Sequence, residues 1–286
     1  MDANLNHFLT VKDHSVSGET FELYKDESLD LLLTHPKPAL SALGKYYESE
    51  DYISHTDSKR GLFEKLYHFV KAIALKNKVK LIGSQANFGN LLDIGAGTGD
   101  FLATAKASSW NTTGVEPSEK ARKIASKKGL ILAESSKDLP DHSFDVITMW
   151  HVLEHVPDVS WQINELKRLL KPDGAVVIAV PNFNSYDAKH YGSFWAAYDV
   201  PRHLSHFSKM AIEKLFAQSK MELVKILPMP FDAFYVSLLS EKYKTGKMNY
   251  AKAFSVGWKS NRYGKQKMEY SSHIYILKNA KTKNKA

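Results

Sequence analysis

The stretch Leu91–Phe101, LLDIGAGTGDF, places a short apolar run directly before a glycine-rich turn and the start of an amphipathic segment. The apolar run is typical of a buried strand, and the glycines allow a tight turn where the backbone can approach a ligand at a helix N-terminus. Gly95, Gly97 and Gly99 alternate along the turn, and Asp100 follows directly. A strand, a glycine turn and a helix in this order predict a nucleotide-type binding site.

Short β-rich runs alternate with amphipathic stretches from Asn90 onward, which is the pattern of a sheet built from βαβ units. The predicted strands are Leu91–Ile94, Thr113–Val115, Leu130–Leu132, Phe144–Met149, Ala175–Val180, Leu223–Leu227 and His273–Leu277. The predicted helices are Asp100–Lys106, Glu119–Lys128, Val159–Leu170 and Lys209–Gln218. We therefore predict an α/β fold, with a Rossmann-like, seven-stranded, mostly parallel sheet and helices on both faces.

Three segments interrupt this alternation. Residues 1–60 precede the core, residues 182–207 follow the fifth strand, and residues 228–270 separate the last two strands. The two later segments are rich in Phe, Tyr and Trp, and long segments of this kind usually form lids or binding walls. We predict one domain over residues 61–286, preceded by an N-terminal extension and carrying two aromatic-rich lid insertions that determine substrate specificity.

The composition limits the classes of partner. A formal net charge of +8 would suit nucleic acid or an anionic membrane, but four of the lysines lie in the last nine residues and the other charges are mixed in sign along the sequence. We therefore expect no nucleic acid partner. The chain has no cysteine, which excludes disulfides and thiolate metal sites. No apolar run approaches the ~18 residues of a membrane span and no signal peptide is recognisable, so we expect a cytoplasmic protein.

The glycine spacing favours a cofactor without phosphate. A dinucleotide motif G-x-G-x-x-G needs glycine at its sixth position, where this chain has Asp100, and an acidic side chain there would crowd a pyrophosphate. S-adenosylmethionine carries no phosphate. The predicted strand Thr113–Val115 leads into Glu116, seventeen residues after Gly99. A carboxylate at this strand tip can accept hydrogen bonds from both hydroxyls of an adenosine ribose.

Five motifs in order resemble the class I S-adenosylmethionine-dependent methyltransferases. They are the stretches 93–99, 114–116, 143–147, 153–158 and 170–174, reading DIGAGTG, GVE, SFDVI, LEHVPD and LKPDG. The resemblance covers about half of the chain and is to the methyltransferase-23 group, which includes ubiquinone-biosynthesis O-methyltransferases and sugar C-methyltransferases. It implies S-adenosylmethionine as the cofactor, S-adenosylhomocysteine as its product, and a small-molecule methyl acceptor. Some relatives carry a cysteine-bound zinc module, which this chain cannot form.

The resemblance also implies the cofactor contacts, residue by residue. These are Asp93, Gly95, Ala96, Gly97, Gly99, Glu116, Pro117, Ser135, Ser136, Met149 and Trp150. Asp93 would help to place the methionine end of the cofactor, the glycine turn would pass beneath it, and Glu116 would hold the ribose. The adenine would lie near Ser135 and Ser136, where many relatives have an aspartate. The last two residues of the set would line the cofactor and the mouth of the acceptor pocket.

Methyl transfer from a sulfonium is an in-line displacement, so the protein aligns the reactants and removes a proton from the acceptor where one must leave. We predict His151 and His203 as candidates for the base. His151, Glu154 and His155 also match the H-x-x-E-H pattern of some metallopeptidases, which the surrounding motifs argue against. Ubiquinone O-methyltransferases carry an acidic and histidine cluster here, with glutamate in place of His151. A divalent cation bound by such a cluster is therefore an alternative here, but we predict no metal site and a structural role for Glu154 and His155.

Several alternatives stay open from the sequence. Arg202 and His203 could brace a loop through Asp199 instead of acting on the acceptor, and the segment Tyr46–His55 could fold over the cofactor. We expect a hydrophobic or aromatic acceptor that is methylated on oxygen or carbon. The alternatives are a non-catalytic S-adenosylmethionine-binding protein and a nicotinamide-dependent oxidoreductase, which Asp100 argues against. The sequence gives no prediction of the oligomeric state.

Overall fold

A computed structural model describes residues 5–47, 62–86 and 88–280 of the chain. Its strands are β1 (Leu5–Lys12), β2 (Thr20–Asp26), β3 (Leu31–His35), β4 (Asn90–Ile94), β5 (Asn111–Val115), β6 (Leu132–Ala133), β7 (Phe144–Trp150), β8 (Leu170–Pro181), β9 (Ser205–Phe207), β10 (Met221–Pro228) and β11 (Ser272–Asn279). Its α-helices are α1 (Leu40–Leu43), α2 (Leu62–Gly83), α3 (Asp100–Ala107), α4 (Glu119–Ser126), α5 (Val159–Leu169), α6 (Tyr186–Tyr191), α7 (Lys209–Gln218), α8 (Asp232–Thr245) and α9 (Tyr250–Lys267).

The larger sheet has seven strands in the order β10-β11-β8-β7-β4-β5-β6. The pairs from β8 through β6 are parallel, and β11 lies antiparallel between β8 and β10. Six of the seven strands predicted from the sequence lie within strands of this sheet, which confirms the Rossmann-like fold; the seventh, Leu130–Leu132, overlaps β6 only at Leu132. Strand β8 begins five residues earlier than predicted, because Lys171–Gly174 bulge opposite Asp145 and the Lys171 ammonium lies 2.8 Å from that carboxylate.

Helices cover both faces of this sheet, as predicted. Ile147 of β7 points to one face, where it packs in a cluster with Leu166 of α5 and Phe216 of α7. Its neighbour Val146 points to the other face, in a cluster with Leu102 of α3. Strands buried on both faces are near-continuous apolar runs, which explains why the sequence revealed them clearly. The helix start at Glu119 is also as predicted, because the Ser118 hydroxyl caps α4 by accepting a hydrogen bond from the Ala121 amide.

The N-terminal segment and the insertion 182–207 form a second sheet, with the antiparallel order β1-β2-β3-β9. Strand β9 lies inside the insertion, and its pairing with β3 joins segments more than 160 residues apart. The aromatic side chains of the insertion, including Trp195 and Tyr198, pack with Leu23 and Leu32 in a second core. The sequence interpretation treated this insertion as a long irregular segment. It contains α6 and β9: β9 depends on a distant N-terminal partner, whereas α6 packs mainly against the helices α8 and α9.

The insertion 228–270 differs from the interpretation in a similar way, because it folds as the helical hairpin α8–α9. Small residues form the buried face of α9, and Gly257 lies against Phe234 so closely that a Cβ atom there would overlap the ring. The buried Asp187 carboxylate accepts hydrogen bonds from Ser260 of α9, at 2.6 Å, and from the Trp195 indole, at 2.8 Å. This network fastens the hairpin to the second core. No helix within the described residues is long and apolar enough to cross a membrane.

Candidate active site

The glycine turn after β4 is held by close packing at its ends and is open in its middle. Gly95, Gly97 and Gly99 all have left-handed backbones, with φ of +71°, +53° and +79°. A side chain at Gly95 would overlap Val152, and one at Gly99 would overlap Leu130. At Gly97 nothing lies within 4 Å of the Cβ position. The open space above Gly97 is where a cofactor can approach the backbone.

Glu116 follows β5 and lies beside this turn. Its Oε2 atom accepts a hydrogen bond from the Gly97 amide at 2.8 Å, and its Oε1 atom accepts one from the Ser118 amide at 2.8 Å. Each carboxylate oxygen keeps a further acceptor site, so both can still receive ribose hydroxyls. Ala96 is half-buried, with its amide donating to β5, and Pro117 is exposed. The geometry therefore brings Glu116 and the glycine turn together, as the sequence predicted.

Asp93 lies at the end of β4 as a buried carboxyl group, 3% exposed. Burial raises the pKa of Asp93 to about 7 and the charge of Glu116 adds to this, while a 2.6 Å hydrogen bond from the Thr148 hydroxyl and the charge of Lys78 act in the opposite direction. The Lys78 ammonium from α2 lies 4.2 Å from the centroid of the Trp150 ring. A carboxyl group, a cation and an indole thus meet beneath the predicted methionine end of the cofactor.

Asp100 does not act as the sequence argument assumed. Its carboxylate lies 2.7 Å from the Lys71 ammonium and 2.6 Å from the Lys128 ammonium. Burial alone would raise the pKa of Asp100, but the two lysines outweigh it and hold the pKa below its usual value. The two lysines offset the negative charge of the side chain that was expected to crowd a pyrophosphate. Asp100 therefore does not decide between a dinucleotide and S-adenosylmethionine.

The remaining predicted cofactor contacts differ in how accessible they are. The Ser136 hydroxyl is buried and donates to Glu165 at 2.7 Å, so it can meet adenine only as an acceptor while that bond is kept, whereas Ser135 is exposed. Met149 is fully buried within the core. Trp150 is half-buried beside the Phe101 ring, with centroids 5.5 Å apart. The adenine contacts and the role of Met149 stay predictions.

His151 is held between two carboxylates. Its Nε2 atom lies 3.1 Å from Asp232, the first residue of α8, and its Nδ1 atom lies 3.4 Å from Glu154. Burial lowers the pKa of His151, but the two carboxylates outweigh it and raise the pKa to about 10. The ring is thus an imidazolium near neutral pH and a poor proton acceptor while both partners are in place. Its φ of +56° also places it outside the short helical turn that follows.

His203 is buried and keeps one ring nitrogen available. Its Nδ1 atom lies 2.9 Å from the Ala197 carbonyl, to which it donates in the tautomer that leaves Nε2 as the acceptor. The neighbouring Arg202 braces the loop, as the sequence alternative held, because its guanidinium contacts Asp199 at 2.7 Å and Asp13 at 3.0 Å. Of the two histidines predicted as a base, His203 has the more suitable surroundings.

Glu154, His155 and His203 form a compact donor set, with one candidate ligand atom from each lying within 4.8 Å of the others. Glu154 is 1% exposed and neither of its carboxylate oxygens accepts a hydrogen bond. Burial lowers the pKa of His155 to about 4, so this ring is neutral. One carboxylate and two imidazoles are a donor set that divalent metals accept. The expectation of no metal site stays a prediction.

Four residues near the site carry no sequence motif and were not predicted: Lys78, Thr148, His206 and Asp232. Asp232 had a usable signal, because it follows β10, whose carboxyl end lies at the same sheet edge as those of the parallel strands. The prediction that the segment Tyr46–His55 folds over the cofactor falls only partly within the described residues. Tyr47 lies 3.1 Å from Nδ1 of His155, while residues 48–55 lie outside the described residues.

Known proteins identify this combination of sheet and glycine turn. Two solved methyltransferases share the fold. Magnesium protoporphyrin IX methyltransferase from Synechocystis matches with a TM-score of 0.56 and 12% identity, over 85% of this chain and 100% of that one. A methyltransferase from Archaeoglobus fulgidus matches with a TM-score of 0.53 and 18% identity, over 76% of this chain and 98% of that one. A family model described as a methyltransferase domain matches residues 60–226. The chain belongs to this methyltransferase family.

Sequence relatives agree with this assignment. A ubiquinone biosynthesis O-methyltransferase from Actinobacillus pleuropneumoniae serotype 7 is 29% identical over 194 residues, which is 60% of this chain and 82% of the relative. The enzyme of the same name from serotype 5b is 35% identical over 161 residues, which is 49% of this chain and 68% of that relative. The resemblance, the enzyme class and S-adenosylmethionine as cofactor are thereby confirmed. The two alternative functions, a non-catalytic S-adenosylmethionine-binding protein and a nicotinamide-dependent oxidoreductase, are therefore not supported.

Proposed function

We propose that this enzyme methylates an oxygen or carbon atom of a small hydrophobic or aromatic metabolite. The observation that carries the proposal is a narrow crevice at the carboxyl end of β8, next to Glu154, lined by aromatic rings and polar side chains. Its walls are formed by Glu154, Pro181, Phe183, Trp195, His203, Ser205, His206 and Phe207. Apolar rings with a few convergent polar groups are typical of sites for small organic molecules.

The size of the crevice limits what it can hold. Formed ligand sites usually measure ~300–1,000 Å³, whereas this crevice leaves no room even for a water molecule, so its walls must move apart before the reacting ring of an acceptor can enter. Aromatic walls favour a flat apolar ring, and the buried histidines supply the polar contacts that an acceptor hydroxyl would need. The names of the relatives, ubiquinone biosynthesis O-methyltransferases, support a phenolic acceptor.

The residues have separable tasks in this proposal. When bound, S-adenosylmethionine supplies a methyl group on a positively charged sulfur. Glu116 would hold the ribose hydroxyls, and the open backbone at Gly97 would allow close approach. The Nε2 atom of His203 would accept the proton from the acceptor hydroxyl, and the nearby carboxylates of Glu154 and Asp199 would stabilise the imidazolium that results.

The test is a transfer assay with labelled S-adenosylmethionine and a matched set of acceptors. A catechol carrying an apolar tail should accept the label, and the same molecule with its hydroxyls already methylated should not. Polar sugars, a protein mixture and RNA serve as the other arms. Transfer to protein or RNA alone, with none to any ring acceptor, would contradict the proposal.

A further inference from the structure

The hairpin α8–α9 exposes a set of large aromatic side chains. Tyr250, Phe254 and Trp258 recur every four residues along α9 and are 57%, 64% and 53% exposed. Phe231 and Tyr235, at the start of α8, are 56% and 46% exposed. Single exposed apolar residues are common on protein surfaces, but a group of this size marks an interaction site. We call these five residues the aromatic face.

The two helices present this face together. The Phe254 ring stacks on Phe234 of α8, with centroids 5.3 Å apart, and Gly257 allows the two helices to approach closely at this point. The exposed rings of α9 therefore lie next to those of α8. The buried contacts of α9 are made by the adjacent side of the helix, through small residues such as Ala253.

The hairpin also carries a large share of the net positive charge of the chain. Residues 232–267 contain eight lysine or arginine side chains and two acidic ones, a net charge of +6 against +8 for the whole protein. Both acidic side chains point inward: Asp232 pairs with His151, and Glu241 is fully buried beside Tyr191. All eight basic side chains are exposed, so the surface of the hairpin that bears the aromatic face is cationic, whereas the sequence alone indicated charges scattered along the chain.

We propose that the aromatic face and the lysines around it dock this protein on an anionic lipid bilayer. Amphipathic helices that lie in a membrane interface combine large apolar rings on one face with Lys and Arg beside them. Tyr and Trp rings favour the level of the headgroups, and each nearby lysine is attracted to anionic lipid. A second copy of this chain is a poor occupant, because a symmetric contact would bring two strongly cationic hairpins together.

The hairpin lies beside the active site. Asp232 begins α8 and contacts His151 at 3.1 Å, so the base of the hairpin forms one edge of the site. A bilayer bound to the aromatic face would bring this edge close to the lipid, from which an apolar acceptor could enter. This last link rests on the proposed function. The docking itself does not, and it is tested without substrate.

The experiment is co-sedimentation of the full chain with vesicles of phosphatidylglycerol and phosphatidylcholine, and with phosphatidylcholine alone, at 0.15 M salt. We expect binding to the anionic vesicles only. The double variant Phe254→Ser/Trp258→Ser should bind at least tenfold more weakly, and so should the triple variant Lys244→Glu/Lys259→Glu/Lys265→Glu. Ile131→Ser, at a side chain that is 97% exposed elsewhere, controls for loss of an apolar residue.

The triple variant Lys120→Glu/Lys127→Glu/Lys137→Glu controls for net charge, because it changes the charge by the same amount on another surface. Both control variants should bind as the unaltered protein does. Circular dichroism and S-adenosylhomocysteine binding report whether each variant is folded. The proposal is overturned if folded hairpin variants bind like their controls, if the unaltered protein ignores anionic vesicles, or if it binds RNA but no vesicle.

Discussion

The two halves of the active site are built in different ways. The cofactor edge, residues 90–118, consists of two adjacent parallel strands with their turns, and its key bond joins Glu116 to Gly97 at 2.8 Å. The acceptor side comprises the second sheet, residues 182–207 and the turn at Glu154. There Arg202 contacts Asp13, which lies 189 residues earlier in the chain. The first half depends on local sequence, and the second depends on the packing of distant segments.

The largest effect is expected on the acceptor side, at His203. His203→Gln keeps a polar side chain of similar length but cannot accept the proton, so kcat should fall about 10²–10⁴-fold, the range typical of a lost general base. The measurement is the pH profile of kcat with a phenolic acceptor and with its preformed phenolate, which should restore part of the rate. His206→Gln is the matched control in the same crevice. Equal losses in both variants would assign His203 a structural role only.

Arg202 tests whether the acceptor side depends on a long-range ion pair. Arg202→Ala leaves Asp13 buried without its cation, and breaking a buried pair costs roughly 3–5 kcal/mol. Urea unfolding should show this loss in the free energy of unfolding. Arg122→Ala, at an arginine outside the acceptor side, should cost less than ~1 kcal/mol. A small loss at Arg202 would mean that the second sheet is held by its apolar core alone.

Asp93 gives the cofactor edge a pH dependence. The folded pKa is raised from 3.8 to about 7, so the folded state binds more protons than the unfolded state between these values. Stability is therefore expected to fall as the pH rises from 4 to 7, by a few kcal/mol for a shift of this order. Urea unfolding at pH 5 and pH 8 should show a smaller difference in Asp93→Asn than in the unaltered protein. An unchanged difference would refute the shifted pKa.

These two halves also differ in how far sequence could predict them. Six of the strands and the glycine turn were predicted correctly, because buried strands and left-handed glycines leave strong local patterns, while the ribose contact of Glu116 stays a prediction. The pairing of β9 with β3 could not be predicted, since a strand of three residues has no periodicity of its own. His151 was recognised as a site residue, but its partner Asp232 follows β10, 81 residues away. Its imidazolium state depends on that contact.

The smallest effect is expected at a purely local contact on the cofactor edge. The Ser118 hydroxyl accepts the Ala121 amide at 3.3 Å and caps α4, directly after Glu116. Ser118→Ala should lower the free energy of unfolding by about 1 kcal/mol. Cofactor affinity should change less than twofold, because the Ser118 amide that Glu116 contacts is retained. Ser118→Asp, which can also cap, should restore the stability, and a failure to do so would locate the loss elsewhere.

The central claim is that the edge formed by the glycine turn and Glu116 binds S-adenosylmethionine. The most direct measurement is a calorimetric titration of the protein with S-adenosylmethionine, S-adenosylhomocysteine and NADH, repeated with Glu116→Ala and Glu116→Gln. We expect micromolar binding of both adenosyl ligands and no binding of NADH. In Glu116→Ala the affinity for both adenosyl ligands should fall about 10–100-fold, because two charge-assisted hydrogen bonds are lost. Binding of NADH without the adenosyl ligands, or full affinity in Glu116→Ala, would contradict it.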